Sequence, residues 1–262
     1  MNDVTAPSVK ERLTSPWIAL LAAFQFLTIL PPIIRRPFTP KELSGSVAFF
    51  PLVGALLGLL LAGTDALLAV IFPPLARGAI LLALWVLLTG SLHLDGFLDT
   101  CDGLLGGWTS EKRMEIMRDE RVGAYALAGG VLLLLMKFSA LASLQYHWEA
   151  LVMAATLGRW GMSLAIVAFP YARPEGLGRS MKEQAGWLHT GIATLITLLV
   201  VWLVGQLAGL AMMALAGGIV WLGGRFAIRR IAGLTGDVYG ALNETIELVV
   251  LLAMVALAYT FD

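Results

Sequence analysis

The sequence is poor in charged residues and contains a single cysteine. Charged side chains make up 14% of the 262 residues, whereas hydrophobic residues make up 58%. Soluble domains usually have about 25% charged and about 45–50% apolar residues, so this composition excludes an ordinary soluble globular protein. The lone Cys101 excludes an internal disulfide. Basic and acidic residues balance at 18 each, so nucleic acid is not an expected partner.

Long apolar segments fill most of the chain and predict helices that cross a lipid bilayer. Such a helix needs roughly 20 apolar residues. The candidate spans are residues 17–34, 47–72, 77–94, 123–142, 148–170, 190–207, 208–223 and 240–259. We therefore predict an all-α, polytopic integral membrane bundle of about seven to eight helices, in one catalytic domain over residues 1–262.

Three of these segments have features that bear on whether and how they cross the membrane. The first contains Gln25 and ends in Pro31 and Pro32, so it could instead be re-entrant or lie at the membrane interface. The sixth and seventh meet at residues 205–209, a short segment with a glycine at each end, which favours a tight helical hairpin.

Basic residues in the predicted loops are unevenly distributed. One side receives Arg35, Arg36, Lys41, Lys112, Arg113, Arg118, Arg121, Arg173, Arg179, Lys182, Arg225, Arg229 and Arg230. The other side receives Lys10, Arg12, Arg77 and Lys137. Cytoplasmic loops carry an excess of Lys and Arg, so the first side is predicted to be the cytoplasmic face of a bacterial inner membrane. The long loops, at residues 95–121, 171–189 and 224–239, lie on that side, which predicts that the working residues face the cytoplasm.

Three aspartates follow the third predicted span. Asp95, Asp99 and Asp102 are spaced i, i+4 and i+7, which places their carboxylates on one face of a helix. Such a stripe repels itself unless a cation compensates it, and Mg²⁺ prefers oxygen ligands shared with substrate phosphates. The alternative is a solvated acidic helix end. His93 could be a further ligand, although a hydrogen-bonded residue at the interface is favoured.

The middle of the next segment, residues 106–123, is predicted to form a short amphipathic surface helix. Its two methionines, Met114 and Met117, would face inward. Arg118 and Arg121 are spaced i, i+3, which suits binding of phosphate oxygens. Pairing of these arginines with neighbouring acidic residues is an equally good interpretation.

Two later segments add candidate site residues. Residues 170–179 form a glycine-containing loop with Tyr171 and Arg173, and glycine backbone amides beside an arginine could bind an anion. Residues 235–247 carry three more acidic side chains. They are Asp237, Glu244 and Glu247, which would share one face of a helix entering the last span.

Carboxylates at membrane depth are costly and normally face a cavity, a partner or a metal. Thr235 or Asp237 could instead be only the N-cap of that last helix. Arg159 lies within a predicted span and is interpreted as the only basic residue inside the membrane. It should pair with one of these carboxylates or with a substrate phosphate.

These segments resemble the cobalamin synthase family, whose members are also called adenosylcobinamide-GDP ribazoletransferases. The most specific likeness is at residues 93–102 followed by 104–121, and the acidic signature maps onto Asp95, Asp99 and Asp102 without a gap. The segments at 24–28, 50–54, 170–178 and 235–247 match in order and spacing.

The resemblance implies a late step of cobalamin assembly and, for so large a corrinoid substrate, a wide active-site cavity open to the cytoplasm. Family members join adenosylcobinamide-GDP to α-ribazole, or to its 5′-phosphate, release GMP and require Mg²⁺. It implies that the three aspartates bind Mg²⁺ at the substrate pyrophosphate, and that Asp237, Glu244 or Glu247 completes a second metal position or orients the acceptor hydroxyl. The candidate substrate-binding residues are His93, Arg118, Arg121, Arg159, Tyr171, Arg173 and Glu247. Other cobalamin-assembly enzymes are candidate partners, together with the lipid bilayer.

Two other functions would also use charged residues in a membrane protein. A CDP-alcohol phosphotransferase needs Asp-Gly followed by Ala-Arg, whereas Asp95-Gly96 is followed by Phe97-Leu98 and no Ala-Arg at that spacing. An ion-coupled transporter would place its charges near the middle of the bilayer on broken helices, within two repeats. Most acidic residues here cluster at one predicted membrane face, and no repeat is apparent.

Overall fold

The structure, a computed structural model, describes residues 15–144 and 148–261. Eleven α-helices and one 3₁₀ turn follow one another in this part of the chain. They are α1 Pro16–Leu27, α2 Pro40–Ser46, the 3₁₀ turn Val47–Phe49, α3 Phe50–Leu68, α4 Pro74–Leu88, α5 Leu92–Gly106, α6 Ser110–Ile116, α7 Ala124–Ser143, α8 Trp148–Ala168, α9 Leu177–Gln184, α10 Trp187–Ile231 and α11 Gly236–Phe261. Among these residues β-structure is limited to an isolated bridge between Tyr171 and Leu234. The predicted all-α bundle is confirmed.

Helix α8 is the centre of the bundle, with α3, α10 and α11 packed around it. Two glycines of α3, Gly54 and Gly58, lie directly against the α8 backbone. A Cβ added at Gly54 would be 2.3 Å from the carbonyl oxygen of Ala155, and one at Gly58 would be 2.5 Å from the Cα of Val152. Small residues four positions apart let two membrane helices approach closely, and the gain is van der Waals contact rather than exclusion of water.

Helix α10 is a hairpin of two antiparallel arms. Gln206 has non-helical backbone angles, with φ of 46° and ψ of −124°. Residues eight apart in a straight helix are separated by about 12 Å, yet a Cβ at Gly209 would lie 3.1 Å from the Cβ of Val201. The chain therefore reverses direction at Gln206, as the glycines at 205 and 209 predicted.

Five described helices are long and apolar enough to cross a membrane. The count rises to six if α4 and α5, which meet at 89°, form one broken span. Helix α10 counts once here, although its two arms are separate helices. The predicted number of seven to eight spans thus stays a prediction. Helix α1 has 12 residues, or about 18 Å of length, which suits the re-entrant or interfacial alternative.

The predicted C-terminal boundary of the third span, 77–94, is wrong. Helix α4 stops at Leu88, and Gly90 and Ser91 both adopt left-handed backbone angles, with φ of 60° and 58°. The chain then turns sharply into α5, so the aspartates lie on a separate helix. The predicted long loops at 95–121, 171–189 and 224–239 are also largely helical, because they contain α5, α6, α9 and the end of α10.

Two basic residues assigned to loops are buried inside the bundle instead. Lys137 lies within α7 and Arg77 within α4, and each is about 3% exposed. Arg77 forms a 2.8 Å ion pair with Asp65 of α3. Lys137 and Arg77 are thus two further buried bases, so the interpretation of Arg159 as the only one is wrong. Lys10 and Arg12 lie outside the described residues.

The glycine contact between α3 and α8 gives a stability prediction. Gly58→Leu should lower the melting temperature in detergent, because overpacking against backbone costs about 1–3 kcal/mol and Gly58 has no free space. Gly63→Leu on the same helix is the matched control, since no atom lies within 4 Å of a Cβ there. Equal melting temperatures for the two variants would contradict this packing.

Candidate active site

Helices α5 and α11 cross at two glycines. A Cβ at Gly96 would lie 2.9 Å from the Cα of Asp237, and one at Gly240 would lie 3.0 Å from the carbonyl oxygen of His93. The two backbones therefore touch, as small residues allow. This crossing brings Asp95 of α5 and Asp237 of α11 to the same cavity.

That cavity has a volume of about 260 Å³ and two chemically different walls. Its polar wall consists of Asp95, Asp237, Arg173 and Glu175. Its apolar wall consists of Phe26, Phe50, Leu92, Met162, Ile166 and Met181. Such a cavity can hold a ligand with a charged end and an apolar body.

A second cavity, also of about 260 Å³, lies along the aspartate face of α5. Asp95, Asp99 and Asp102 line it together with Arg118, so the predicted stripe on one helix face is confirmed. Asp95 belongs to both cavities. Asp99 lies within electrostatic range of both of its neighbours on α5 and of Asp237 and Arg173. The acidic groups of α5 and α11 thus form one charged region.

Asp102 already has strong partners. Its carboxylate accepts hydrogen bonds from the backbone amides of Gly123, at 2.6 Å, and Ala126, at 2.8 Å. These are unpaired amides at the start of α7, so Asp102 caps that helix from a distant part of the chain. Among the described residues, no group of three or more His, Cys, Asp or Glu side chains is arranged to hold a metal ion. Asp95 and Asp99 are therefore better placed than Asp102 as metal ligands.

Arg173 and Asp237 form an ion pair that lines the first cavity. The guanidinium donates to Asp237 Oδ2 at 2.6 Å and to the carbonyl oxygen of Met117 at 3.3 Å. Thr235 also donates to Oδ2, at 3.2 Å, and its hydroxyl accepts from the amide of Val238 at 3.3 Å. Thr235 is thus the capping residue of α11, and Asp237 faces the cavity.

Glu244 and Glu247 lie deeper, in a buried ion network. Lys137 donates to both carboxylates at 2.5 Å, and Arg159 pairs with Glu247. Asn243 donates to Glu247 at 3.0 Å. The predicted pairing of Arg159 with a carboxylate is confirmed. Two cations balance two anions here, and neither glutamate lines either cavity, so the common face of α11 serves two different environments.

His93 lies between the ion network and the first cavity. It is 2% exposed, and neither ring nitrogen has a hydrogen-bond partner in the described part of the chain. The favoured interpretation as a hydrogen-bonded interface residue is therefore wrong. His93 does line the first cavity, where its predicted role in substrate binding stays a prediction.

Arg118 and Arg121 lie beyond the end of α6, which stops at Ile116, so they are not on the predicted helix. Arg121 donates to Asp119 at 2.6 Å, and this hydrogen bond lowers the pKa of Asp119 to about 2. The internal pairing alternative holds for Arg121. Both arginines line the second cavity, but Arg121 is paired with Asp119, so Arg118 is the better placed of the two for an anionic ligand. Met117 is buried, as predicted.

Two tyrosines meet in the lining of the first cavity. The rings of Tyr171 and Tyr239 are 6.2 Å apart, and burial raises the pKa of Tyr171. Gly178 lies against the Tyr171 ring, and Gly176 has a φ of +118°, which favours glycine. Arg179 pairs with Glu183 instead of facing the cavity.

Sequence reasoning missed Tyr239 and Lys137. The hydroxyl of Tyr239 is buried without a partner among the described residues. Its position two residues after Asp237 was the available signal for Tyr239, whereas a lysine within an apolar run was the signal for Lys137.

Comparison with known proteins points to a single family. A family model described as cobalamin-5-phosphate synthase matches residues 19–255. The chain is 42% identical to adenosylcobinamide-GDP ribazoletransferase of Desulforamulus reducens, over 87% of this chain and 92% of that protein. It is 42% identical to the protein of that name from Stutzerimonas stutzeri, over 90% and 97%, and 37% identical to the one from Geotalea daltonii, over 91% and 97%. No solved structure matches the chain.

The ion network predicts a large effect of a single substitution. Lys137→Met should strongly lower the melting temperature in detergent, because breaking a buried ion pair costs about 3–5 kcal/mol and leaves Glu244 without its cation. Adding Glu244→Gln to that variant should restore part of the loss. Arg121→Ala removes an exposed pair and should leave melting unchanged. A Lys137→Met protein that melts like the wild type would disprove the stabilising role of this network.

Proposed function

The chain belongs to the cobalamin-5-phosphate synthase family, and we propose that it transfers the adenosylcobinamide phosphoryl group of adenosylcobinamide-GDP to α-ribazole, or to α-ribazole 5′-phosphate, with release of GMP. The names of the relatives support adenosylcobinamide-GDP as the donor and ribazole as the acceptor group. The observation that carries the proposal is the meeting of Asp95, Asp237 and Arg173 around one cavity. It places acidic and basic groups together where a diphosphate can bind.

The reaction forms one oxygen–phosphorus bond and breaks another. A hydroxyl of the acceptor attacks the phosphorus that carries the cobinamide, and the bond from that phosphorus to the oxygen of GMP breaks. The proton of the hydroxyl must be removed, and Asp237 is the carboxylate that we assign to this task. Arg173 and Thr235 hold Oδ2 of Asp237, which leaves Oδ1 to accept the proton.

Positioning and charge neutralisation are the main tasks of a protein in phosphoryl transfer. Arg173 lines the first cavity and Arg118 the second, so both can bind phosphate oxygens. The apolar wall of the first cavity excludes water from the attacking hydroxyl. Glu244 is neutralised by Lys137 and therefore acts through packing rather than as the base.

Asp95 and Asp99 fit a Mg²⁺ ion that is shared with the substrate. They are one helical turn apart and line the second cavity together, while Asp102 is held by two backbone amides. Mg²⁺ commonly takes one or two carboxylates and completes its ligands with phosphates and water. When bound, the ion would neutralise charge on the diphosphate, and Asp95 and Asp99 would hold it beside the first cavity.

We further propose that this site faces the cytoplasm from the inner membrane. Contacts gather the basic segments at one end of the bundle. Arg113 donates to the carbonyl of Arg230, Arg173 to that of Met117, and Ser44 to that of Ser180. An excess of basic residues at one end marks the cytoplasmic side. With Lys137 and Arg77 buried, fewer charges remain to oppose this orientation.

The proposed activity has a direct assay. Purified protein incubated with adenosylcobinamide-GDP, α-ribazole and Mg²⁺ should release GMP in equal amount to the joined corrinoid. Asp99→Asn should abolish release while leaving expression and melting intact, since the role proposed for Asp99 is to bind the metal. Gly63→Leu is the control with normal turnover.

Either of two results would contradict these assignments. Wild-type protein that releases no GMP, but moves an ion or a solute into vesicles, would favour a transporter. An Asp99→Asn protein that keeps a near-normal rate at limiting Mg²⁺ would remove Asp99 from the metal site.

Arg173 gives a prediction that separates binding from chemistry. Arg173→Ala should raise the KM for adenosylcobinamide-GDP at least tenfold and lower kcat much less, because a charge-assisted hydrogen bond to phosphate contributes about 1.5–3 kcal/mol. Arg179→Ala is the control, since Arg179 pairs with Glu183 away from the cavity. Equal losses in kcat and kcat/KM would indicate that Arg173 acts in the transition state instead.

A further inference from the structure

An apolar groove runs along the face of α5 opposite to the aspartates. Its volume is about 340 Å³, and α5, the second arm of α10 and α11 form its walls. Leu105 of α5 and Phe226 of α10 line it and are 50% and 41% exposed, so the groove opens to the outside of the bundle. The groove lies apart from both cavities of the active site, since its walls share no residue with them.

The second arm of α10 continues from this groove into two arginines. Ile219, Leu222, Gly223 and Phe226 line the groove and are spaced three and four residues apart, as one face of a helix requires. The same spacing extended by one turn from Phe226 reaches Arg229 and Arg230. Both arginines therefore lie at the end of the groove, on the face that lines it.

Arg230 is directed toward the groove by an aromatic contact. Its guanidinium carbon lies 3.8 Å from the centre of the Phe226 ring, a cation–π distance. Its Nε is buried and has no hydrogen-bond partner in the described part of the chain. The groove thus ends at the positive charge of Arg230, whose Nε–H is free to donate a hydrogen bond. Deeper along its wall, the hydroxyl of Thr100 is also buried and without a partner there.

We propose that this groove is a binding site for one anionic glycerophospholipid of the bilayer. An acyl chain would occupy the apolar part, over the roughly 10 Å that separates Ile219 from Phe226 along the helix. The headgroup phosphate would accept hydrogen bonds from Arg229 and Arg230. A basic side chain near an anionic membrane surface contributes about 1 kcal/mol, and bidentate arginine contacts add geometric selection for phosphate.

The test compares lipids of different charge on the full-length protein in detergent. Native mass spectrometry with equal amounts of phosphatidylglycerol and phosphatidylcholine should show preferential retention of phosphatidylglycerol. Arg229→Ala/Arg230→Ala should reduce that preference about tenfold or more, given the contribution of each basic residue. Arg225→Ala is the matched control. Arg225 is on the same arm but stacks on Trp221, away from the groove, and its loss should change the preference little.

The groove itself is tested separately from its charges. Thr245→Phe should fill the apolar part and lower retention of both lipids. Cys101, the single cysteine, lines the groove, so its reaction with a maleimide in the unaltered protein should slow when phosphatidylglycerol is added. This measurement needs no substitution and is independent of how well the variants fold.

Several outcomes would overturn the proposal. An equal loss of lipid preference in Arg225→Ala would indicate general attraction to a basic surface rather than a site. Unchanged Cys101 labelling in the presence of phosphatidylglycerol would exclude an acyl chain in the groove. A wild-type dimer that Thr245→Phe converts to a monomer would assign the groove to a second copy of the chain.

Discussion

The contact between α5 and α11 is the constraint on which the candidate site depends. Gly96 and Gly240 carry no side chains, so the two backbones meet and the acidic groups at their ends lie side by side. Any larger residue at Gly96 would force Asp237 away from Asp95. The site is therefore built by close packing of helices, and its carboxylates need no shared ligand to bring them together. Arg173 then neutralises part of the charge that this packing concentrates.

A second polar layer lies beneath this contact. Lys137, Arg159, Glu244 and Glu247 come from three helices and satisfy one another inside the bundle. Buried charges are tolerated only when they are paired, and this pairing fixes the rotation of α7 and α8 against α11. The acidic residues of α11 thus have two different roles. Asp237 faces a cavity, whereas the more deeply buried Glu244 and Glu247 hold helices together.

Much of this arrangement could be predicted from the sequence. The apolar segments gave the helical class, the glycines near 205–209 gave the hairpin, and the spacing of three aspartates gave their common face. The bend at Gly90 and Ser91 was missed, because the apolar run continues to Leu94 and a left-handed backbone is uncommon for a residue such as Ser91. Lys137 was misplaced for a related reason. Its partners are 107 and 110 residues away in the sequence, so the residues around Lys137 do not indicate them.

The capping of α7 by Asp102 has a consequence for the segment between them. The chain leaves α5 after Gly106 and returns to it at Gly123, where the carboxylate of Asp102 accepts the backbone hydrogen bonds that close this loop. The cost of closing a loop grows only slowly with its length. Insertions or deletions around the exposed Trp108 should therefore be accommodated at the surface. Both helices, and the carboxylates they carry, should keep their positions when a residue is added there.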